Sequence, residues 1–230
     1  KCLDVFFYDH FKFKCGFLKI KILAIFTTTF YIKMASYKSD RNFSDYVHQN
    51  IAKKEIYKYL SWQEVQFKDN YGVHIDQTDG IDYIFLKDND LITVQERFRD
   101  EKYKSYTDFT LRYRRDQNIH DSRKFSEFFK IKAHYLVYGI VNGTKSNLET
   151  CTSFLKYAIV DLKVFYSLIS KGNIHLKEMA HHTSHIYNKD TLVCPIKFNK
   201  DGSSSFIAVN IPHLIELWSY KVVIFQYGFH

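Results

Sequence analysis

The segment GIDYIFLKDNDLITVQERFR, residues 80–99, sets an acid at the start of one strand-like run and a polar, basic cluster at the end of the next. Asp82 opens the first run, and Gln95, Glu96, Arg97 and Arg99 crowd the second, with KDND as turn chemistry between them. Side chains alternate between the two faces of a strand, so the length of this turn decides what Asp82 meets. A two-residue turn at Asp88–Asn89 puts Asp82 opposite Gln95, with Arg97 one step along the same face. Moving that turn to Asn89–Asp90 puts Asp82 opposite Arg97. An odd-length turn brings Glu96 to the Asp82 face and sends Gln95 and Arg97 to the other, unless a bulge near the strand end relaxes the rule.

Either set suits a hard divalent cation. Mg²⁺, with Mn²⁺ as the alternative, takes oxygen ligands, and Asp82 with Gln95 or Glu96 can supply them. Such an ion polarises a phosphoryl oxygen and acidifies an attacking water, while Arg97 or Arg99 would offset charge developing at phosphorus. The chain that follows is dense in base: Arg97, Arg99, Lys102, Lys104, Arg112, Arg114, Arg115, Arg123 and Lys124, interleaved with Tyr103, Tyr106 and Tyr113. That pattern can track nucleic-acid phosphates, with Arg99, Arg112, Arg114 and Lys124 as the candidate contacts. The competing reading is a solvated charged face, because Asp100, Glu101, Asp108, Asp116 and Asp121 offset part of the charge.

The elements that must hold these residues follow from periodicity and punctuation. Residues 43–62 read as a first helix, capped by Ser44 or Asp45. The hairpin comes next, then a third strand over 108–115 with Phe109, Leu111 and Tyr113 on one face and Thr110, Arg112 and Arg114 on the other. A helix is expected over 121–134 with Asp121 or Ser122 as cap, and YLVYGIVNG (135–143) reads as a central strand. KYAIVDLKVFYSLISKGNI predicts a strand passing into a helix that Gly172 ends. SFIAVNIPHLIELW gives a further strand, and KVVIFQY another. This order predicts an α/β fold with a central mixed β-sheet flanked by helices.

A helix, an acid on the second strand and a polar-x-basic tripeptide on the third resemble the PD-(D/E)xK nuclease superfamily, the restriction-endonuclease-like fold. The resemblance covers about residues 44–170 and includes the later helix and the strand YLVYGIV. It implies a Mg²⁺-dependent endonuclease acting on DNA, of restriction, repair or mobile-element type. Asp82 matches the family's strand acid, Gln95 its (D/E) position and Arg97 its Lys position; Glu96 is the alternate second acid. A further acid on the first helix is common in the family, and Glu55, with Glu64 as alternate, matches it. Gln for the acid and Arg for Lys depart from the pattern, and Arg is a poor proton acceptor, so its role would be electrostatic. The double substitution supports a second expectation, a non-catalytic nucleic-acid-binding protein on the same fold.

The whole chain sets the frame. Its 230 residues are 46% hydrophobic and 25% charged, enough to bury a core, and a net charge of +8 favours an anionic partner. Cys2, Cys15, Cys151 and Cys194 show no CxxC spacing and read as reduced thiols of a cytoplasmic protein, or a nuclear one in a eukaryote. Residues 1–33 read as a leader outside the domain, either upstream translation or a short anchor, and 34–230 as one domain. The uncharged run Ile22 to Ile32 is short for a membrane span. A homodimer is a further option. His175, His181, His182, His185 and Cys194 lie in one region without the Glu of an HExxH motif, and read as an exposed polar helix or loop. Phosphate-loop, dinucleotide-binding, GxSxG and Cys–His signatures are missing from the sequence, so those enzyme classes lose support.

Overall fold

The computed structural model describes residues 39–65, 79–115, 126–178, 184–200 and 202–229. The chain divides into two compact units, Lys1–Asp45 and Tyr46–His230. In the first, residues 39–45 are helical and Arg41 Nε meets Asp45 Oδ1 at 3.1 Å, one helical turn on. Among the described residues, no helix is long and apolar enough to cross a membrane. The proposed leader, residues 1–33, lies outside the described residues.

The second unit is α/β and carries two mixed sheets. The first sheet contains β1 (Gln63–Glu64), β2 (Tyr83–Lys87), β3 (Asp90–Arg99), β5 (Tyr135–Val141), β6 (Phe154–Asp161) and β11 (Val223–Tyr227), in that spatial order. The second runs β4 (Asp108–Arg114), β10 (Ser205–Asn210), β9 (Thr191–Phe198), β7 (Ile174–Glu178), with β8 (His185–Asn188) also paired to β9. The third strand of the sequence therefore leaves the hairpin's sheet altogether. It pairs with β10, about a hundred residues later, through Phe109↔Val209 and Leu111↔Ile207. Its apolar face explains the choice: Phe109 and Leu111 are fully buried in a core shared with Leu136, Ile140, Phe165 and Leu214.

β2 and β3 form a hairpin whose two turn residues, Asp88 and Asn89, both have positive φ, 50° and 70°. That is the primed turn whose twist matches paired strands, and Asp and Asn tolerate it best after glycine. β3 then pairs in parallel with β5, Gln95 beside Leu136 and Arg97 beside Tyr138, which makes YLVYGIV the central strand expected.

Three α-helices follow in the described residues: α1 (Glu127–Lys130), α2 (Leu162–Ser170) and α3 (Ile211–Trp218). α2 is capped by Asp161, whose carboxylate accepts from Val164 N at 2.9 Å, and Gly172 closes it at φ +75°. α3 is capped in the same way by Asn210 through His213 N, so the strand read in SFIAVNIPHLIELW stops at Asn210 and the remainder is helix. The helix expected over 121–134 is the single turn α1, because Ile131 is already extended at φ −62°, ψ 120°; its suggested caps Asp121 and Ser122 lie outside the described residues.

The first helix is of an uncommon kind. His48–Tyr57 is a π-helix, with i→i+5 hydrogen bonds continuing at its end through Lys58 N to Lys53 O and Trp62 N to Tyr57 O. It buries His48, Ile51, Ala52, Ile56 and Tyr57.

Candidate functional site

The two-residue turn settles the parity of the hairpin. Tyr83 pairs with Val94, so Asp82 stands opposite Gln95, and Gln95, Arg97 and Arg99 share one face of β3. Asp82 is held there by two bonds to one oxygen. Its Oδ2 accepts from Gln95 Nε2 at 2.7 Å and from Glu96 N at 2.7 Å. The backbone of Asp82 joins the ladder as well, donating to Val94 O at 2.9 Å.

Gln95 is buried, and its Nε2 also donates to the Glu96 carbonyl at 3.3 Å. Two oxygens, the Asp82 carboxylate and the Glu96 carbonyl, thus converge on one point, filled by an amide nitrogen. Oxygens are what a hard cation takes, and turning over the amide would add the oxygen of Gln95. The donor set fits Mg²⁺ with Asp82 as its one carboxylate. Among the described residues no three His, Cys, Asp or Glu side chains gather as a metal cage.

The side chain of Glu96 does not join this set. The even turn sends it to the opposite face, where it is sealed under the π-helix. Its Oε1 lies 2.8 Å from His48 Nδ1 and accepts from the Tyr57 hydroxyl at 2.5 Å. His48, fully buried, stacks on Tyr83 at 3.6 Å and lies 3.4 Å from Glu64 Oε2 through its Nε2. Lys53 closes the chain of charges, 2.6 Å from the same Glu64 oxygen. Burial, and then the Glu96 charge, hold the Tyr57 phenol well above its usual pKa, so it remains a donor.

Glu55 is placed elsewhere too. Its carboxylate accepts from Phe154 N at 3.2 Å. Phe154 pairs with Val141, five positions along β5 from the Leu136 that flanks Gln95, roughly 17 Å at strand spacing. Glu55 fixes the start of β6 rather than meeting Asp82.

Arg97 donates through one nitrogen, Nη2, to both carboxylate oxygens of Glu127 on α1, and Glu127 also accepts from Arg112 N at 3.0 Å. Arg99 donates to Thr110 Oγ1 at 2.7 Å and lies over the Tyr103 ring, 4.6 Å from its centroid. Arg112 completes this group from β4, and crowding lowers its pKa, through burial of the guanidinium first and then Arg115 and Arg97. These side chains line a cleft of about 470 Å³ between β3 and β5 on one side and β4, β9 and β10 on the other. Lys197 and Asp108 also line it; from sequence Asp108 figured only among the acids that offset the basic run, and Lys197 not at all. Lys197 sits inside the apolar strand TLVCPIKF, where the alternation of faces was its only signal. Arg114 lies on β4 opposite Ser205, and Lys124 lies outside the described residues.

The described parts of the histidine-rich stretch are strands. His175 is on β7 and His185 on β8, both exposed, with Cys194 buried between on β9; His181 and His182 lie outside the described residues. Compared with known proteins, the chain matches no family model, no curated protein and no solved structure.

Proposed function

We propose that this chain is a metal-dependent nuclease of restriction-endonuclease-like architecture that hydrolyses DNA phosphodiester bonds, in a restriction, repair or mobile-element setting. One observation carries the reading: Asp82, Gln95, Arg97 and Arg99 share a single face of the hairpin, and the arginines continue into a cationic cleft. Asp82, Gln95 and the Glu96 carbonyl are the groups that would hold Mg²⁺. Bound there, the ion would polarise a phosphoryl oxygen and acidify water.

The chain's own residues have three tasks. Asp82 is prepositioned by the Glu96 amide, so its carboxylate is oriented before any ligand arrives. Arg97, braced by Glu127, keeps a guanidinium beside the site to offset charge on the phosphoryl oxygens. Arg99 and Arg112 hold the backbone on either side of the cleft. In the reaction, the oxygen of water bonds to phosphorus, one phosphorus–oxygen ester bond breaks, and the proton ends on the leaving alkoxide.

A second reading, a non-catalytic nucleic-acid-binding protein, is favoured by Gln95 presenting its nitrogen to Asp82 and by Arg97 being tied to Glu127. Incubating the protein with plasmid DNA in Mg²⁺ or in EDTA separates the two. The nuclease reading expects nicking or linearisation in Mg²⁺ that EDTA abolishes and Asp82→Ala loses. Tight, salt-sensitive binding with no cleavage in Mg²⁺ or Mn²⁺ would leave the binding protein.

A further inference from the structure

We infer that the cleft between the two sheets is a receptor for a phosphate monoester, a dianionic terminal phosphate that enters end-on. The site shares Arg97, Arg99 and Arg112 with the nuclease reading, in which they meet the strand's phosphates, and adds the terminal phosphate as the group seated deepest; it does not depend on Asp82 or on a metal.

Charge is the first argument. Arg97, Arg99, Arg112 and Lys197 all line the cleft. Of the residues lining the cleft, Asp108 is the one carboxylate against these four cations, and Glu127 outside the lining pairs with Arg97. The excess of positive charge favours a dianionic monoester over a monoanionic diester.

Buried hydroxyls are the second. Tyr138 is fully buried and Ser205 is 1% exposed, both line the cleft, and neither hydroxyl has a hydrogen-bond partner among the described residues. Buried polar groups without partners are rare in folded proteins, and each is destabilising unless something satisfies it. Tyr138 shares the lining of the cleft with Arg97, Arg99 and Asp108. A phosphate oxygen placed among the arginines would accept from it.

Shape is the third. A phosphodiester continues along a strand on both sides, whereas a terminal phosphate can reach the buried Tyr138 and Ser205 hydroxyls of a 470 Å³ cleft with only one side of its chain to accommodate. Tyr103 and Tyr106, 5.8 Å apart at the rim, offer rings against which the attached base or sugar can rest.

The test is equilibrium binding in EDTA at low salt, using calorimetry and fluorescence anisotropy. Probes are inorganic phosphate, a nucleoside monophosphate, and one oligonucleotide with either a terminal phosphate or a terminal hydroxyl. The expected result is that the phosphorylated oligonucleotide binds at least tenfold tighter than its hydroxyl twin and that inorganic phosphate displaces it. If the nucleoside monophosphate binds as tightly as the phosphorylated oligonucleotide, the natural ligand is a small molecule; if it binds far more weakly, the ligand is a strand end. Lys197→Ala should weaken phosphate about tenfold, and Tyr138→Phe several-fold. Asp108→Asn, which removes a carboxylate from the wall, should tighten it, a gain that misfolding cannot mimic. Asp82→Ala should bind phosphate normally, which separates this site from the nuclease reading. Equal binding of the two oligonucleotides, with no displacement by phosphate, would overturn the proposal.

Discussion

The two faces of β3 are built from adjacent residues and behave as opposites. On one face, Glu96 is locked by His48 and Tyr57 beneath the π-helix, and those two rings stack on Tyr83 and Phe85. On the other, Gln95, Arg97 and Arg99 meet Asp82 and run into a cationic cleft. The sealed face spends its carboxylate on internal hydrogen bonds, and the open face keeps its charges where a ligand can reach them. An acid that looks catalytic by type can thus be structural by parity, and a single turn residue decides which.

Several substitutions break or sharpen that contrast. The largest stability loss is expected from Glu96→Ala, which strands the His48 ring and the Tyr57 hydroxyl in the core. Urea unfolding should show a fall of about 3–5 kcal/mol, against no more than about 1.5 kcal/mol for Asp82→Asn, which keeps an acceptor for the Glu96 amide. Equal losses would erase the distinction between the faces.

Gly139 lies beside Phe98 on the sealed face, and a Cβ there would sit 2.4 Å from the Phe154 ring. Gly139→Ala should cost about 1–3 kcal/mol through overpacking and lower the melting temperature without changing phosphate binding in the cleft. Asn89→Ala forces a Cβ-bearing residue without Asn's local hydrogen bonding to hold φ +70°, at about 1 kcal/mol, while Asn89→Gly should be neutral or slightly stabilising. The same thermal melts check both.

The smallest effect is a pH dependence on the open face. Burial pushes the Tyr138 phenol from 10.0 up to about 12. Its folded pKa is raised, so its contribution is fully present below pH 10 and is lost as pH climbs through that window toward 12. Tyr138→Phe should flatten the stability curve between those values.

Much of this was legible in the sequence. The hairpin, the pairing of Asp82 with Gln95 under an Asp88–Asn89 turn, the central strand Tyr135–Val141 and the helix ended by Gly172 all rest on local signals: alternation, turn chemistry and caps. The parity itself stayed open, because KDND offers several turns and the choice rests on backbone twist. The second sheet was not legible. β4 follows the hairpin closely in sequence yet pairs with β10, and nothing near residue 108 announces a partner near residue 209. Lys197 enters the cleft by the same long-range pairing, on the neighbour of β10. The π-helix escaped as well, since Tyr46, Val47, Ile51 and Ile56 fit an ordinary helix, and the wider turn shows in the i→i+5 backbone hydrogen bonds rather than in residue types.

The most direct measurement compares plasmid cleavage by Asp82→Asn and Glu96→Gln, both shown to be folded by circular dichroism, in Mg²⁺ at low salt. If the open face carries the chemistry, Asp82→Asn loses cleavage by about a thousandfold or more while Glu96→Gln stays within about tenfold of the parent protein. Cleavage that survives Asp82→Asn and disappears in Glu96→Gln would place the chemistry on the sealed face and contradict the account.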